Sequence, residues 1–261
     1  MAIDYKFSGW KPDGKNITGN TDCIAQFSVA SQPEEYKAFI NAIKAGTDSY
    51  EVGSSIPVIL NDGNTYHMQI VGKNVDQLAD GSGNAKYSII LDELMSVGNK
   101  RWNPYIVTNS DGSFKEGTGA IGGWEKSEIR TYYKNTLKPM LPEDLQKLIK
   151  PVKKSYTYWS TAKGGTYQKD GECTDDVWMP SLREMAFNDN SKETSGPIYS
   201  EVFTSNSVRQ KHAVNESSNS YYWLRSANYH SSSSAYYVYP DGDWDSVLVY
   251  ISRCLALGFC I

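Results

Sequence analysis

YYWLRSANYHSSSSAYYVYPDGDWDSVLVYISRCLALGFCI, residues Tyr221 to Ile261, closes the chain and differs in composition from everything before it. Tyr, Ser, Asp and small apolar residues fill the stretch. Lys, Glu, Gln, Thr and Met are absent from it, although Lys, Glu and Gln are common upstream. A solvated surface ordinarily carries those long polar side chains, so their local absence needs a cause. It points to a binding face whose residues are varied while a framework stays constant, and hence to recognition rather than catalysis. The stretch is β-like, with Tyr222-Trp223-Leu224-Arg225-Ser226 as its first strand and Ala256 to Ile261 as its last.

Working back from this tail, helical signals come before it and strands come before those. Ser181-Leu182-Arg183-Glu184 has capping-box spacing and predicts a short helix. Pro142 opens another, with Leu145, Leu148 and Ile149 inward. Ser127 and Glu128 start a third, lined by Ile129, Tyr132, Tyr133 and Leu137. The connector from Asn188 to Glu216 is polar, is broken by Gly196-Pro197, and reads as irregular. Further upstream, Tyr87 to Leu91 is an apolar run. Ile56 to Leu60, the turn Asn61-Asp62-Gly63-Asn64 and Tyr66 to Val71 form a hairpin pattern. Gln32 to Ala45 carries Tyr36, Phe39, Ile40 and Ile43 at helical spacing, and Gly46 stops it. Residues 1–28 read as a small β unit around the turn Pro12-Asp13-Gly14, and 29–49 as a helical linker. Helices flanked by early and late strands predict an α+β fold.

Composition narrows the function classes. The chain has 261 residues and a net charge of −4, with no basic stripe, which argues against nucleic acid as the partner. Lys147, Lys150, Lys153 and Lys154 form its densest basic group and read as a solvated helix end. No apolar run is long enough for membrane insertion, and no apolar core follows Met1 to Lys6 as in a signal peptide. Four cysteines are too few for a disulfide scaffold, and none has zinc-type spacing. Cys23 and Cys173 stand alone, while Cys254 and Cys260 read as buried thiols. The histidines His67, His212 and His230 belong to no triad-like grouping. No cofactor, metal or enzymatic activity is expected.

Four strings then combine in order: Gly122 to Tyr132, Leu141 to Lys154, Trp178 to Glu184 and Tyr222 to Ala227. Together they resemble the DUF6273-type domain of gut bacteria and their phages, over about residues 50–261. That resemblance implies a C-type-lectin-like fold, related in shape to formylglycine-generating enzymes. The stretches Tyr5 to Trp10, Ile17 to Gly19 and Ala25 to Phe27 resemble the end of an internalin B-repeat, a β spacer of bacterial surface proteins.

Gly242-Asp243-Trp244-Asp245, Ser252-Arg253, Ala256 and Gly258 to Ile261 look like the variable region of a diversity-generating retroelement target protein. Cys254 and Leu257 depart from that pattern, which usually has Gly and Pro there. In that family adenines are mutated during copying, and diversified Asn codons never yield Lys, Glu, Gln or Met. The resemblance assigns the framework to Trp223, Leu224, Arg225, Ser226, Gly242, Trp244, Ser252, Arg253 and Phe259. It makes Tyr229, His230, Ser232, Ser234, Tyr237, Tyr239, Asp241, Asp243, Asp245, Ser246, Val247, Leu248, Tyr250 and Ile251 the variable, ligand-binding positions, within about 221–261.

The resemblance implies a ligand- or receptor-binding protein, either a phage tail-fibre tip on the virion or a bacterial surface display protein. Its partner would be a cell-surface protein or glycan of a host or neighbouring bacterium. Fibre tips of this kind are commonly homo-trimers. The rival is a carbohydrate-binding adhesin with one invariant ligand.

Three alternatives compete with these assignments. Alternating Asp241, Asp243 and Asp245 suit calcium, yet a closing Glu is missing. The Glu-Pro-Asn and Trp-Asn-Asp motifs of sugar-binding C-type lectins are missing too, so solvated acids are expected. Trp124, Trp178 and Trp223 could form a sugar platform, but core anchoring is the commoner use of such residues. A formylglycine-type oxidase would need a reactive cysteine pair with copper, and Cys254 and Cys260 lie in no such motif.

Overall fold

The computed structural model of the chain describes residues 5–11, 24–29, 31–187 and 193–261. Strands β1 (Tyr5–Lys11) and β2 (Ile24–Val29) pair antiparallel, with Tyr5 opposite Val29. The turn Pro12-Asp13-Gly14, the run Ile17-Thr18-Gly19 and Cys23 lie outside the described residues.

Helix α1 (Glu34–Ala45) begins after Pro33 and ends at Gly46, whose φ of 67° is left-handed. Gly46 N–H donates to Ile43 O and Thr47 N–H to Ala42 O, a Schellman closure that satisfies the last carbonyls. Its inner face, Tyr36, Phe39 and Ile40, is buried in the core. Ahead of it, the Gln32 side chain donates to Ile59 O and accepts from Ile59 N–H. That pair caps the outer edge of β3 (Ser55–Ile59), where open backbone groups would otherwise face water.

β3 pairs with β4 (Thr65–Lys73), and β4 with β5 (Tyr87–Leu91), all antiparallel. Tyr66, Met68 and Ile70 alternate into the core as period 2 requires. In the β3–β4 turn, Asp62 accepts from Asn64 N–H and Tyr66 OH. A short pair follows, formed by β6 (Lys100–Arg101) with a later strand.

Helix α2 (Glu128–Tyr132) is capped by Ser127 Oγ, which accepts from Arg130 N–H. It runs on through a π turn at Tyr133–Leu137, and Ile129, Tyr133 and Leu137 are buried while Tyr132 is half-buried. Helix α3 (Glu143–Gln146) follows Pro142. The hairpin β7 (Val152–Trp159) and β8 (Tyr167–Asp175) precedes β9 (Val177–Trp178).

The tail supplies β10 (Tyr222–Ala227), β11 (Ser234–Val238), β12 (Trp244–Leu248), β13 (Ser252–Arg253) and β14 (Gly258–Cys260). β10, β11 and β12 form a three-stranded antiparallel sheet, and β13 pairs with β6. β14 inserts between β5 and β9, giving the main sheet the order β3-β4-β5-β14-β9. The last residues are therefore interior, and Tyr87 and Ile261 exchange both backbone hydrogen bonds at 3.0 Å. The fold is α+β, with mostly antiparallel sheets and short helices.

Two expectations are corrected. Lys154 is not part of a solvated helix end. α3 stops at Gln146, and β7 places Val152, Lys154 and Tyr156 on its inward face, so Lys154 is buried. Lys147 and Lys150 are exposed, and Lys153, also on β7, is half-buried. Ser181 does begin a capping box: Glu184 Oε2 accepts from Ser181 N–H and Ser181 Oγ from Glu184 N–H, at 3.0 and 3.1 Å. It opens only a turn, because Ala186 takes a left-handed φ of 52° and the Glu184 carboxylate is held by buried cations.

Candidate functional site

The tail sheet is locked from below before it presents anything outward. Every residue of β10 is buried. Arg225 donates through Nε to Ser155 O, and through Nη1 to Met179 O and to Glu184 Oε2 at 2.5 Å. These bonds tie β10 to β7 and to the Ser181 turn. Trp223 Nε1 donates to Lys100 O, and Trp102 Nε1 to Leu224 O. Trp124, Trp178 and Trp223 are all fully buried, so none is a solvent-facing platform. Burial alone would raise the Glu184 pKa; Arg225 and Lys154 override it and hold that carboxyl down at about 2.

β11 lies between β10 and β12, with Tyr237 opposite Trp223 on one side and Asp245 on the other. Both faces of β11 are covered, and Ser234 and Tyr237 are only 8% and 5% exposed. These two are corrected out of the outward set, because all five residues of β11 are buried and Tyr221, Tyr239 and Arg253 pack on Tyr237. The remaining positions lie at the surface. His230, Asp241, Asp243, Asp245 and Leu248 are exposed. Tyr229, Ser232, Tyr239, Ser246, Val247, Tyr250 and Ile251 are half-buried. Leu248 is 39% exposed, while Val247 leans on the core.

Five local arrangements make up this surface. Tyr221, Tyr237 and Tyr239 pack with ring centroids 5.0 to 5.9 Å apart. The Arg253 guanidinium sits 4.9 Å from the Tyr221 ring and 5.0 Å from Tyr237, in cation–π range. Burial first, and then the Tyr239 hydroxyl, push the Tyr237 phenol up. The turn Tyr239–Asp243 closes with Tyr239 N–H to Asp243 O at 2.8 Å.

The acids of this turn have local duties. Asp241 accepts from Asp243 N–H, Asp243 from Trp244 N–H, and Asp245 from Ser246 N–H and Tyr239 OH. Among the described residues no group of three or more His, Cys, Asp or Glu side chains converges as a metal site would require. Trp244 packs edge-on against Tyr236 and at a tilt against Phe187. On the far side, Tyr250 stacks on Tyr105, and Tyr229 covers His230 at 3.5 Å with Tyr167 beyond it.

Tyr105, 64% exposed, and Tyr221, 42% exposed, belong to the face but escaped the sequence reading. Tyr221 begins the unusual tail and could have been taken from it. Tyr105 lies far upstream and carries no motif.

The other histidines lie elsewhere. His67 Nδ1 is 2.6 Å from Glu93 Oε1, and His212 pairs with Asn219 in an isolated bridge. Cys173 and Cys260 are buried free thiols; Cys254 is only partly buried, and its thiol donates to Asn99 Oδ1. No helix among the described residues is long and apolar enough to cross a membrane.

A family model described as "Domain of unknown function (DUF6273)" matches residues 98–256, from β6 through the whole tail sheet. No curated protein and no solved structure matches the chain.

Proposed function

The chain belongs to the DUF6273 family, and from that premise we propose that it is a ligand-binding protein, not an enzyme, whose C-terminal surface is diversified by a retroelement. Its scaffold is C-type-lectin-like. It serves at a phage tail-fibre tip, where a homo-trimer is the usual assembly, or in bacterial surface display. Its partner is a protein or glycan on another cell. One observation carries the reading. Of the framework, Trp223, Leu224, Arg225, Ser226, Gly242 and Phe259 are buried while Trp244, Ser252 and Arg253 are not, and every candidate variable position except Ser234 and Tyr237 reaches the surface. That division is what selection among variants on a fixed support needs. Tyr rings offer adaptable contact area at low conformational cost, and Asp and Ser supply polar specificity.

The DNA flanking the coding sequence is the decisive test. The expected finding is a near-copy of the 3′ end, differing at adenines, beside a reverse transcriptase gene. Sequencing of sibling clones should place their differences at the surface positions above. A locus without template or reverse transcriptase, invariant among siblings, overturns the proposal. The adhesin reading keeps support from the exposed aromatics Tyr105 and Tyr221, which lie outside the assigned variable positions. A glycan array that returns one defined sugar for all siblings would favour it.

A further inference from the structure

Lys154, Asp76 and Glu184 come from three distant segments and meet in the interior, with side chains at most 1% exposed. Lys154 Nζ lies 2.6 Å from Asp76 Oδ1 and 3.0 Å from Glu184 Oε1. The Trp178 ring lies over it, 3.4 Å from Nζ to centroid. Lys154 Nζ also donates to Tyr199 OH at 3.1 Å, and Tyr199 OH donates to Asp76 Oδ2 at 2.7 Å. The Ser88 hydroxyl donates to the same Oδ2. An amine, a carboxyl group, a neighbouring carboxylate and a phenol bridging the amine to the far carboxyl oxygen are thus enclosed without exposure to water.

We propose that Lys154 and Asp76 condense after folding into an intramolecular isopeptide bond. Nζ attacks Asp76 Cγ; the Nζ–Cγ bond forms and the Cγ–Oδ2 bond breaks. Of the three ammonium protons, one stays on the amide nitrogen and two leave with Oδ2 as water. Glu184 Oε1 takes up and returns one of them. Tyr199 relays the other, accepting from Nζ on one side and donating to Oδ2 on the other. No electrons are transferred and no co-reactant is required.

Charge balance favours the product. Lys154 and Arg225 are cations of the cluster, and Asp76 and Glu184 are the carboxylates in ion-pair contact with them. Condensation removes one of each and leaves the Arg225–Glu184 pair, 2.5 Å apart, intact. Two desolvated ions are replaced by a neutral amide, whose burial costs far less. Asp76 is the electrophile because neutral hydroxyls hold its Oδ2, whereas Glu184 Oε2 is held by Arg225 and by Ser181 N–H. Burial opposes the ammonium form, but Asp76 and Glu184 outweigh it and keep the Lys154 amine above its ordinary pKa. The attacking neutral amine is therefore a minor species, and the bond accumulates over time in the folded protein.

Intact-mass measurement on the full chain, incubated at neutral pH until the mass stops changing, tests this directly. The expected mass is that of the sequence less one water. Tandem spectra of a digest should contain a branched peptide joining Asp76 to Lys154. Asp76→Ala should keep the full sequence mass. Asp76→Asn should lose ammonia instead and reach the wild-type product. Tyr199→Phe, if folded by Trp fluorescence, should lose water at least tenfold more slowly. Wild-type protein that keeps its full mass overturns the proposal whatever the variants do. Water loss mapped to another residue, such as the succinimide-prone Asp62-Gly63, overturns it equally.

Discussion

A Cβ on Gly242 would lie 1.8 Å from the backbone oxygen of Asn206, inside any permitted contact. Gly242 also has a φ of 85°, in the region that L side chains rarely adopt. Steric overlap and backbone strain act together at the tip of the β11–β12 hairpin. Gly242→Ala should therefore destabilise the protein by about 2 kcal/mol or more. Urea denaturation measures it, and an unchanged midpoint would show that the hairpin does not rest on the Asn206 loop.

Tyr237 and Tyr250 should behave oppositely, although both are tail tyrosines. Tyr237 is 5% exposed among Trp223, Tyr221 and Arg253. Tyr237→Ala should cost about 3 kcal/mol, the usual loss for a buried aromatic side chain. Tyr250 stands at the surface against Tyr105. Tyr250→Ala should leave the unfolding midpoint nearly where it was. Thermal melts of the two variants side by side check the contrast; equal losses would contradict it.

For binding, the order reverses. Half-buried Tyr239 and Tyr250 each reach the surface, so alanine there removes contact area from a ligand. If each is an anchor, its loss weakens binding by about 2 kcal/mol, some thirtyfold. Titration of a ligand recovered by display against a cell-surface library reads this. Unchanged affinity in both variants would place the anchors elsewhere on the molecule.

Acid should release the tail sheet through Glu184. Its folded pKa, about 2, lies below the ordinary carboxylate value of the unfolded chain. The unfolded state therefore binds the proton first as pH falls. The stabilisation is fully present above the unfolded value of about 4.3 and is lost as pH drops towards 2. Arg225→Leu removes the cation that holds Glu184 most strongly and leaves its carboxylate buried. It should cost about 3 kcal/mol at neutral pH, with a shallower loss between pH 4 and 2. Denaturant midpoints across that range provide the measurement; an acid slope identical to wild type would remove Glu184 from the account.

Much of the fold was legible because local chemistry and tertiary structure agree there. Gly46 closes α1, Ser127 caps α2, Asn61 to Asn64 turns the β3–β4 hairpin, and the tail begins and ends in strands as its apolar runs predict. Disagreement arose where a distant partner decides. The Ser181 capping box forms its reciprocal bonds, yet the chain leaves the helical path because buried Lys154 and Arg225 claim Glu184. Lys154 carries no local sign of burial, since the three groups that neutralise and bond it come from residues 76, 184 and 199.

The sequence alone determined that the final residues obey a different compositional rule, and which of them carry Tyr, Ser and Asp. Composition reports what a segment contains, and strand alternation reports which residues share a face. Neither reports how many layers cover that face. Only the tertiary structure decided that Tyr221, Tyr239 and Arg253 cover Tyr237 while Asp245, paired with it in the same sheet, stays at the surface. It also brought Tyr105 onto Tyr250, a contact between residues far apart in the chain that no local pattern encodes.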